Sequence, residues 1–566
     1  MLIHSMSLAA SHALMQRRRP SPSPLRLPRT GMMRARRALL LACLPLVPLT
    51  TVAASVEQDI GQAIREAAQN SVNRSLQARD TAHQAYRSAP ADALANLDPT
   101  SLYRVDDRYR AAWQAPAFGP QLLRLLGSRW LDQQSGLARD SLVRAIAERM
   151  LSEGYLFFRL RIAARGAAPG PEIDLEPLPV KLLDNGLQLK NVLRIREGGF
   201  FRLDQLRLAL FQLNSMGESS YRADVANVDD AIYLSFSRLP RSRLTTVIDL
   251  NNFNKQDLFG YNGTLSVLAS DLLRLNESLG LSYSNNLAAV PARTFSAYNG
   301  FFSVPLLGLD LALDYSQSDD RSVIELGKSS LAAKRDTRRL GLSLKANQIR
   351  GDALFHYGLR LTRSASRFDI NRQPILAQTY RYNTAELSAG ASLRRDGWHA
   401  SASAVLSRSF RYNRGPDFLT LRTHAEVGDR LFKHWRYRLS LNTQHRLGQA
   451  QLPSAERFYP GASTRTRLPF NAAPLSGEHG LNLSSTLSYD ISTSGLHRNW
   501  VAVGTVSPFV GLDHGRADGR YLNSLTLGVN LAIGQNRLQL YWPKIIGSNV
   551  GYQADGGIFL ALQAQF

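Results

Sequence analysis

Cysteine is almost missing from this chain: among 566 residues only Cys43 carries a thiol. It lies ahead of the predicted cleavage point of a leader, so the mature chain would hold no disulfide and no thiolate metal site, which suits an oxidising compartment. Long apolar runs are missing too. Met32 to Ala54 reads MMRARRALLLACLPLVPLTTVAA, where Pro45 and Pro48 cut short the one stretch that approaches the roughly 20 residues a membrane helix needs. There is no Walker-type glycine loop, no zinc-finger spacing and no helix-turn-helix pattern. His356, His399 and His514 stand alone on strand patterns, as lumen or turn residues rather than parts of a catalytic set. No catalytic, cofactor-binding or metal site is expected, and no enzyme.

Negative charge is scarce at the start. Residues 1–54 contain eight Arg and no acid, so removing them takes the formal charge from +23 to 23 − 8 = +15. The remaining charge is spread over many segments rather than gathered in a run, so nucleic acid is not an expected partner. A basic region, a short apolar segment and small residues make 1–54 a leader, with its signal core at 32–54 and cleavage between Ala54 and Ser55. Residues 1–31 fit either an early start codon or an extended basic region.

Val56, Ile60, Ile64 and Ala67 give residues 55–88 a helical spacing with a thin apolar stripe. A helix this polar cannot secure itself by burying one face. It is either a solvated linker or a plug in a wet cavity. Residues 89–116 are expected as a linker.

Two short αβ patterns follow. Leu142, Val143, Ile146, Met150 and Leu151 mark a helix face, with Asp140 or Ser141 as cap and Gly154 as stop, and Phe158, Leu160 and Ile162 alternate as a strand. Leu203, Leu206, Leu210 and Leu213 repeat the helix, and Ile232, Leu234 and Phe236 the strand. The expected domains are 117–170 and 171–242. Small sheets of this kind expose edges that can accept an extended peptide, although plain spacer domains would read the same.

From Arg243 onward period-two alternation takes over. Leu307, Leu309, Leu311, Leu313 and Tyr315 oppose Gly308, Asp310, Ala312, Asp314 and Ser316; Tyr357, Leu359 and Leu361 oppose Gly358, Arg360 and Thr362. Alternation alone fits a soluble sandwich equally well. Count and length decide for the other solvent: about sixteen segments, many of about ten or more residues, joined by alternating short and long connections, match a transmembrane β-barrel over 243–566. Closing the sheet also satisfies every backbone donor and acceptor in hydrocarbon. Arg360, Arg436 and Arg438 would then face a wet lumen. The chain ends in an alternating strand with Leu560, Leu562 and Phe566, which resembles the assembly signal of bacterial outer-membrane barrels.

One long connection, 449–478, interrupts the strands between the eleventh and twelfth. Its sequence from Arg457 to Gly480 is RFYPGASTRTRLPFNAAPLSGEHG. Unstructured loops of this length are usually functional or disordered.

The order of leader, polar helix, two αβ modules and about sixteen strands resembles the two-partner secretion transporters, the haemolysin secretion/activation (TpsB) family, within the superfamily built on polypeptide-transport-associated (POTRA) domains. Phe201–Ser237 looks like the family's second such domain. Gly461 fits the Gly-rich lead-in of the family's long loop, and Arg467 its motif arginine. Thr466 and Leu468 depart from the motif, and Pro469 and Phe470 follow. LSGEHG (Leu475–Gly480) is similar to the loop's exit, and PFVGLDHG (Pro508–Gly515) to the strand carrying its acidic partner, here Asp513. Gly461, Arg467, Phe470 and Asp513 are thus the expected loop latch, an Arg–carboxylate pair being the strong, bidentate kind. The resemblance implies an outer-membrane pore of a Gram-negative bacterium with periplasmic N-terminal domains. Its cargo would be a large unfolded TpsA-type exoprotein of haemolysin or adhesin type. Other implied partners are outer-membrane lipid, the barrel assembly machinery and periplasmic chaperones. A barrel insertase and a diffusion porin are the alternatives.

Overall fold

The computed structural model describes the chain from residue 102 onward, apart from 166–169, 184–198, 216–219, 240–242, 253–261, 288–292, 375–378, 411–416, 461–474, 493–503, 551–556 and scattered gaps of one or two residues. The expected leader, cleavage point and polar helix lie outside the described residues, as do Gly461, Arg467 and Phe470.

The first module joins strands β1 (Tyr103–Asp107), β2 (Ala117–Phe118), β4 (Phe158–Ala164) and β5 (Pro171–Pro177) in the order β1-β4-β5-β2, with helices α1 (Pro120–Leu126), α2 (Ser128–Gln134) and α3 (Arg139–Ser152) against the sheet. The helix face read from α3 is the buried one: Leu142, Ile146, Ala147 and Met150 meet Phe158, Leu160 and Ile162 in a single core. Each such large side chain contributes about 1.5–3 kcal/mol by leaving water. The cap differs from expectation. Ala138 occupies it without a side-chain bond, and Asp140 sits in the first turn, where its charge favours the helix dipole.

The second module orders its sheet β6-β9-β8, from β6 (Val180–Leu183), β8 (Ser220–Val228) and β9 (Ala231–Leu239), and packs α4 (Leu203–Ser215) on it through Leu206, Leu210 and Leu213. A short ladder joins the modules, β3 (Tyr155–Leu156) pairing with β7 (Phe201–Arg202). Between β3 and β4, Phe157 takes φ +58° while fully buried in the second core, and its neighbour Phe158 is buried in the first. A bulky residue rarely adopts that conformation. Here it turns two consecutive rings into two different cores.

The barrel runs as β10 (Leu244–Asn251), β11 (Asn262–Ser270), β12 (Ser278–Asn286), β13 (Arg293–Leu306), β14 (Leu309–Leu326) and β15 (Ser329–Arg350). It continues with β16 (Ala353–Ile370), the short β17 (Gln373–Pro374), β18 (Tyr380–Arg395), β19 (Trp398–Phe410), β20 (Leu419–Arg430) and β21 (Trp435–Arg446). It ends with β22 (Gly480–Tyr489), the short β23 (Ile491–Ser492), β24 (Gly504–Ala517), β25 (Arg520–Ile533), β26 (Asn536–Ser548) and β27 (Phe559–Gln565). Sixteen long antiparallel strands close on themselves, with β27 pairing against β10. Beyond that ladder, Thr246 and Phe566 exchange backbone hydrogen bonds of 3.0 and 2.9 Å.

The solvent order is inverted. On β16, Leu359 and Leu361 are 43% and 44% exposed, while the next residue, Thr362, points inward and is 3% exposed. Polar side chains fill the inside and leucines clothe the outside, the arrangement a hydrocarbon solvent selects. The second module is tied to this wall: Asn276, in the buried turn between β11 and β12, donates its amide to the carbonyl of Leu213 near the end of α4 at 3.2 Å.

Candidate functional site

The connection between β21 and β22 enters the barrel through a narrow, heavily bonded neck. On its descending limb Glu456 is buried against the wall. Tyr382 of β18 donates its hydroxyl to Glu456 Oε1 at 2.8 Å, Arg422 of β20 pairs with Oε2, and Gln444 of β21 donates to the Glu456 carbonyl at 2.7 Å. Arg422 also donates to Gln444 at 3.1 Å, so three wall strands and one loop residue form one network. Tyr382 is held in turn edge-on against Phe418, with Leu452 completing the cluster. Burial opposes ionisation of Glu456. The charges of Arg422 and Arg339 and the hydrogen bonds from Tyr382 and Arg422 outweigh it, holding the carboxyl below its usual value.

The two limbs then meet. Phe458 and Gly477 exchange backbone bonds of 2.7 and 3.0 Å. The Phe458 ring lies over Gly480, where a Cβ would overlap the ring. Below it, Asn482 donates to the Pro460 carbonyl at 2.7 Å. On the ascending limb Glu478 accepts from the Leu452 amide at 2.8 Å and pairs with Arg446, while the amides of Glu478 and His479 donate to Asp518 at 2.9 and 3.0 Å. Each of the exit residues Leu475, Gly477, Glu478 and Gly480 therefore has a physical task, Leu475 packing on Ala517 and Leu522.

Asp513 lies on the inner face of β24, 3% exposed, opposite Ser484 of β22 and Ser524 of β25. Asn482 pairs with Gly515 on the same ladder, so Asp513 is one inward position deeper along the wall than the point where Pro460 is held. The three other expected latch residues are outside the described part of the loop.

The expected lumen arginines are ion-paired. Arg360 reaches Asp314 at 2.7 Å across the intervening strand β15, where Gly341 leaves room for the carboxylate. Arg436 pairs with Asp490, and Arg438 lies 3.7 Å from Glu426. His399 contacts Glu426 at 3.2 Å. His514 departs from expectation: it shares the outward register of Val510 and Leu512 and contacts Asn523 at 2.6 Å, so it belongs neither to the lumen nor to a turn. Among the described residues no cluster of His, Cys, Asp and Glu could hold a metal ion.

Local sequence gives no sign that Glu456, Tyr382, Arg422 and Gln444 form a site. Arg422 and Gln444 alternate onto the inner face, which is a readable signal. Nothing nearby ties them to a glutamate 34 residues from Arg422.

A closed barrel with a polar interior and a leucine-clothed exterior, a β21–β22 connection whose two limbs are bonded to the inner wall, and two αβ modules ahead of it make up an outer-membrane barrel protein. Residues 231–536 match the family described as haemolysin secretion/activation protein ShlB/FhaC/HecB, more than half of the chain, and the protein belongs to that family. Among solved structures it is similar to CdiB from Escherichia coli, with 15% identity, a TM-score of 0.73 and coverage of 91% of this chain and 100% of that one. It is also similar to CdiB from Acinetobacter baumannii, with 15% identity, a TM-score of 0.67 and coverage of 90% and 100%. No curated protein sequence matched. The protein is a two-partner secretion transporter of the Gram-negative outer membrane, and not an enzyme.

Proposed function

We propose that the barrel passes a large unfolded exoprotein of haemolysin or adhesin type from periplasm to surface, and that the two modules first capture its secretion domain, the second by strand addition at the edge of its sheet. The observation that carries the reading is the edge of the second sheet. Strand β8 pairs with β9 on one side and has no further strand partner among the described residues. A free edge gains main-chain hydrogen bonds from an added strand. The lumen suits an unfolded chain because its polar, ion-paired wall gives a passing segment few apolar groups to stick to. No nucleotide site is present in the sequence, so folding of the exoprotein outside would supply the directionality.

Residues 55–88 would act as the plug, and Arg467 with Asp513 as the latch that holds the loop tip. Deleting 55–88 should raise single-channel conductance in planar bilayers; unchanged conductance would remove the plug role. The capture step is tested by a photo-crosslinking residue at the exposed Ala226 of β8, with a second at Leu183 of β6. A crosslink to the co-expressed secretion domain from Ala226 alone is expected, and crosslinks from Leu183 alone would refute capture at β8. The barrel assembly machinery and periplasmic chaperones enter as partners in inserting the barrel itself.

A further inference from the structure

Above the leucine-clothed band, on the outer surface of the barrel, Ala365 of β16 lies among four arginines. Arg363 and Arg367 flank it on its own strand, Arg338 of β15 is its direct partner on one side, and Arg381 of β18 is its partner on the other. All four are exposed, and their register is that of the exposed outward leucines Leu340, Leu359, Leu361 and Leu387. Direct cross-strand neighbours have Cβ atoms about 4.5–5.5 Å apart, and next-but-one residues of a strand lie about 6.5–7 Å apart. Four guanidinium groups therefore surround a small, flat floor. Alanine is the residue that leaves that floor open.

We infer that this cradle binds the phosphorylated headgroup of an outer-leaflet glycolipid, with its acyl chains lying on the leucines beneath. Three observations support that occupant. Each arginine presents a planar, multidentate donor edge suited to phosphate oxygens. The cradle borders the apolar face directly: Leu340 is the cross-strand partner of Arg363, and Leu342 that of Leu361. The cradle is also at the end of the strands remote from the N-terminal modules, the outer-leaflet side of a barrel whose modules are periplasmic.

The ion pairs of Arg338 and Arg367 do not close the cradle. Arg338 donates through Nε to Asp336 at 3.2 Å, and Arg367 through Nε to Asp369 at 3.0 Å, each to a carboxylate two residues away on its own strand. Exposed pairs of this kind are worth only about 0–1 kcal/mol, so a phosphate can share or displace them. The β20–β21 face has no such cluster. At the same end of β20 and β21 the outward positions are Leu421, Thr423, Thr443 and His445, and Arg446 turns inward to Glu478.

The test is lipid binding by the full-length purified transporter, measured by native mass spectrometry in detergent. Bis-phosphorylated lipid A, its dephosphorylated form and phosphatidylglycerol serve as probes. Lipid A should bind at least about tenfold more tightly than either of the others, and Ala365→Glu should remove that preference by filling the floor with a like charge for the ligand. Arg338→Gln combined with Arg381→Gln should do the same. Folding of each variant is checked by the heat-dependent gel shift of closed barrels, and the double variant changes exposed positions alone. Equal binding of the dephosphorylated glycolipid, equal binding of phosphatidylglycerol, or retention of the preference in folded variants would each overturn the inference.

Discussion

Tyr382 donates its hydroxyl to Glu456 at 2.8 Å, a contact across 74 residues of sequence between a barrel strand and the first limb of the β21–β22 connection. With Arg422 on its other oxygen, Glu456 is the pivot that sets where the loop leaves the wall.

Removing that pivot should loosen the neck. Breaking a fully buried ion pair by deleting one partner costs about 3–5 kcal/mol, and this pair, with Glu456 buried and Arg422 34% exposed, should lose less. Glu456→Gln should therefore increase channel opening in bilayers and expose the loop to added protease, while the barrel still folds. The paired change Glu456→Leu with Arg422→Met should recover part of the loss. Conductance equal to wild type in the single variant would show that the neck is held elsewhere.

The same carboxylate predicts a pH response. Its value in the folded protein lies below the ordinary one, so its contribution is complete above the ordinary carboxylate value, about 4.3, and is lost as pH falls through the lowered folded value. Channel noise should be steady from neutral pH down to that range and rise only on further acidification. Glu456→Gln should show the noisy behaviour at every pH.

Gly480 carries the Phe458 ring. Any side chain on this glycine must displace the ring, and overpacking of this kind costs about 1–3 kcal/mol. Gly480→Val should lower the temperature at which the folded gel species is lost and shift conductance as Glu456→Gln does. Gly136, where an added Cβ would meet only open space, is the control, and Gly136→Val should leave both readouts unchanged.

For the proposed latch, Arg467→Ala and Asp513→Ala should each reduce secretion of the exoprotein several-fold without reducing barrel insertion. The exchange Arg467→Asp with Asp513→Arg should restore part of it. Full secretion by both single variants would refute the contact.

Deletion of Phe566 removes the two bonds with Thr246 beyond the β10–β27 ladder. A several-fold drop in folded barrel at equal synthesis is expected by gel shift, and an unchanged yield would deny the terminal strand its proposed role in assembly.

How far the fold was legible follows from periodicity. The leucines of α3 and α4 and the alternation of β14 to β16 declared their buried or lipid-facing sides because a helix repeats every 3.6 residues and a strand every two. The first sheet was less legible: it draws in Tyr103–Asp107, inside the expected linker, through parallel pairing with β4, which joins segments far apart in the chain, and its β4–β5 antiparallel hairpin carries it past residue 170 to Pro177. Leu475–Gly480 was legible as a pattern, yet its tasks were not.

The sequence by itself determined the helix face and strand at the centre of each module, the approximate strand count, the choice of lipid as outer solvent and the position of the loop, since these depend on local spacing, on the number and length of the alternating segments and on the side chain's preference for water or hydrocarbon. Only the tertiary structure decided that Glu456 anchors the loop, that Gly480 floors Phe458, and that four arginines from three strands converge on Ala365. Those relationships depend on strand register, and register is fixed by closure of the whole barrel rather than by any one segment.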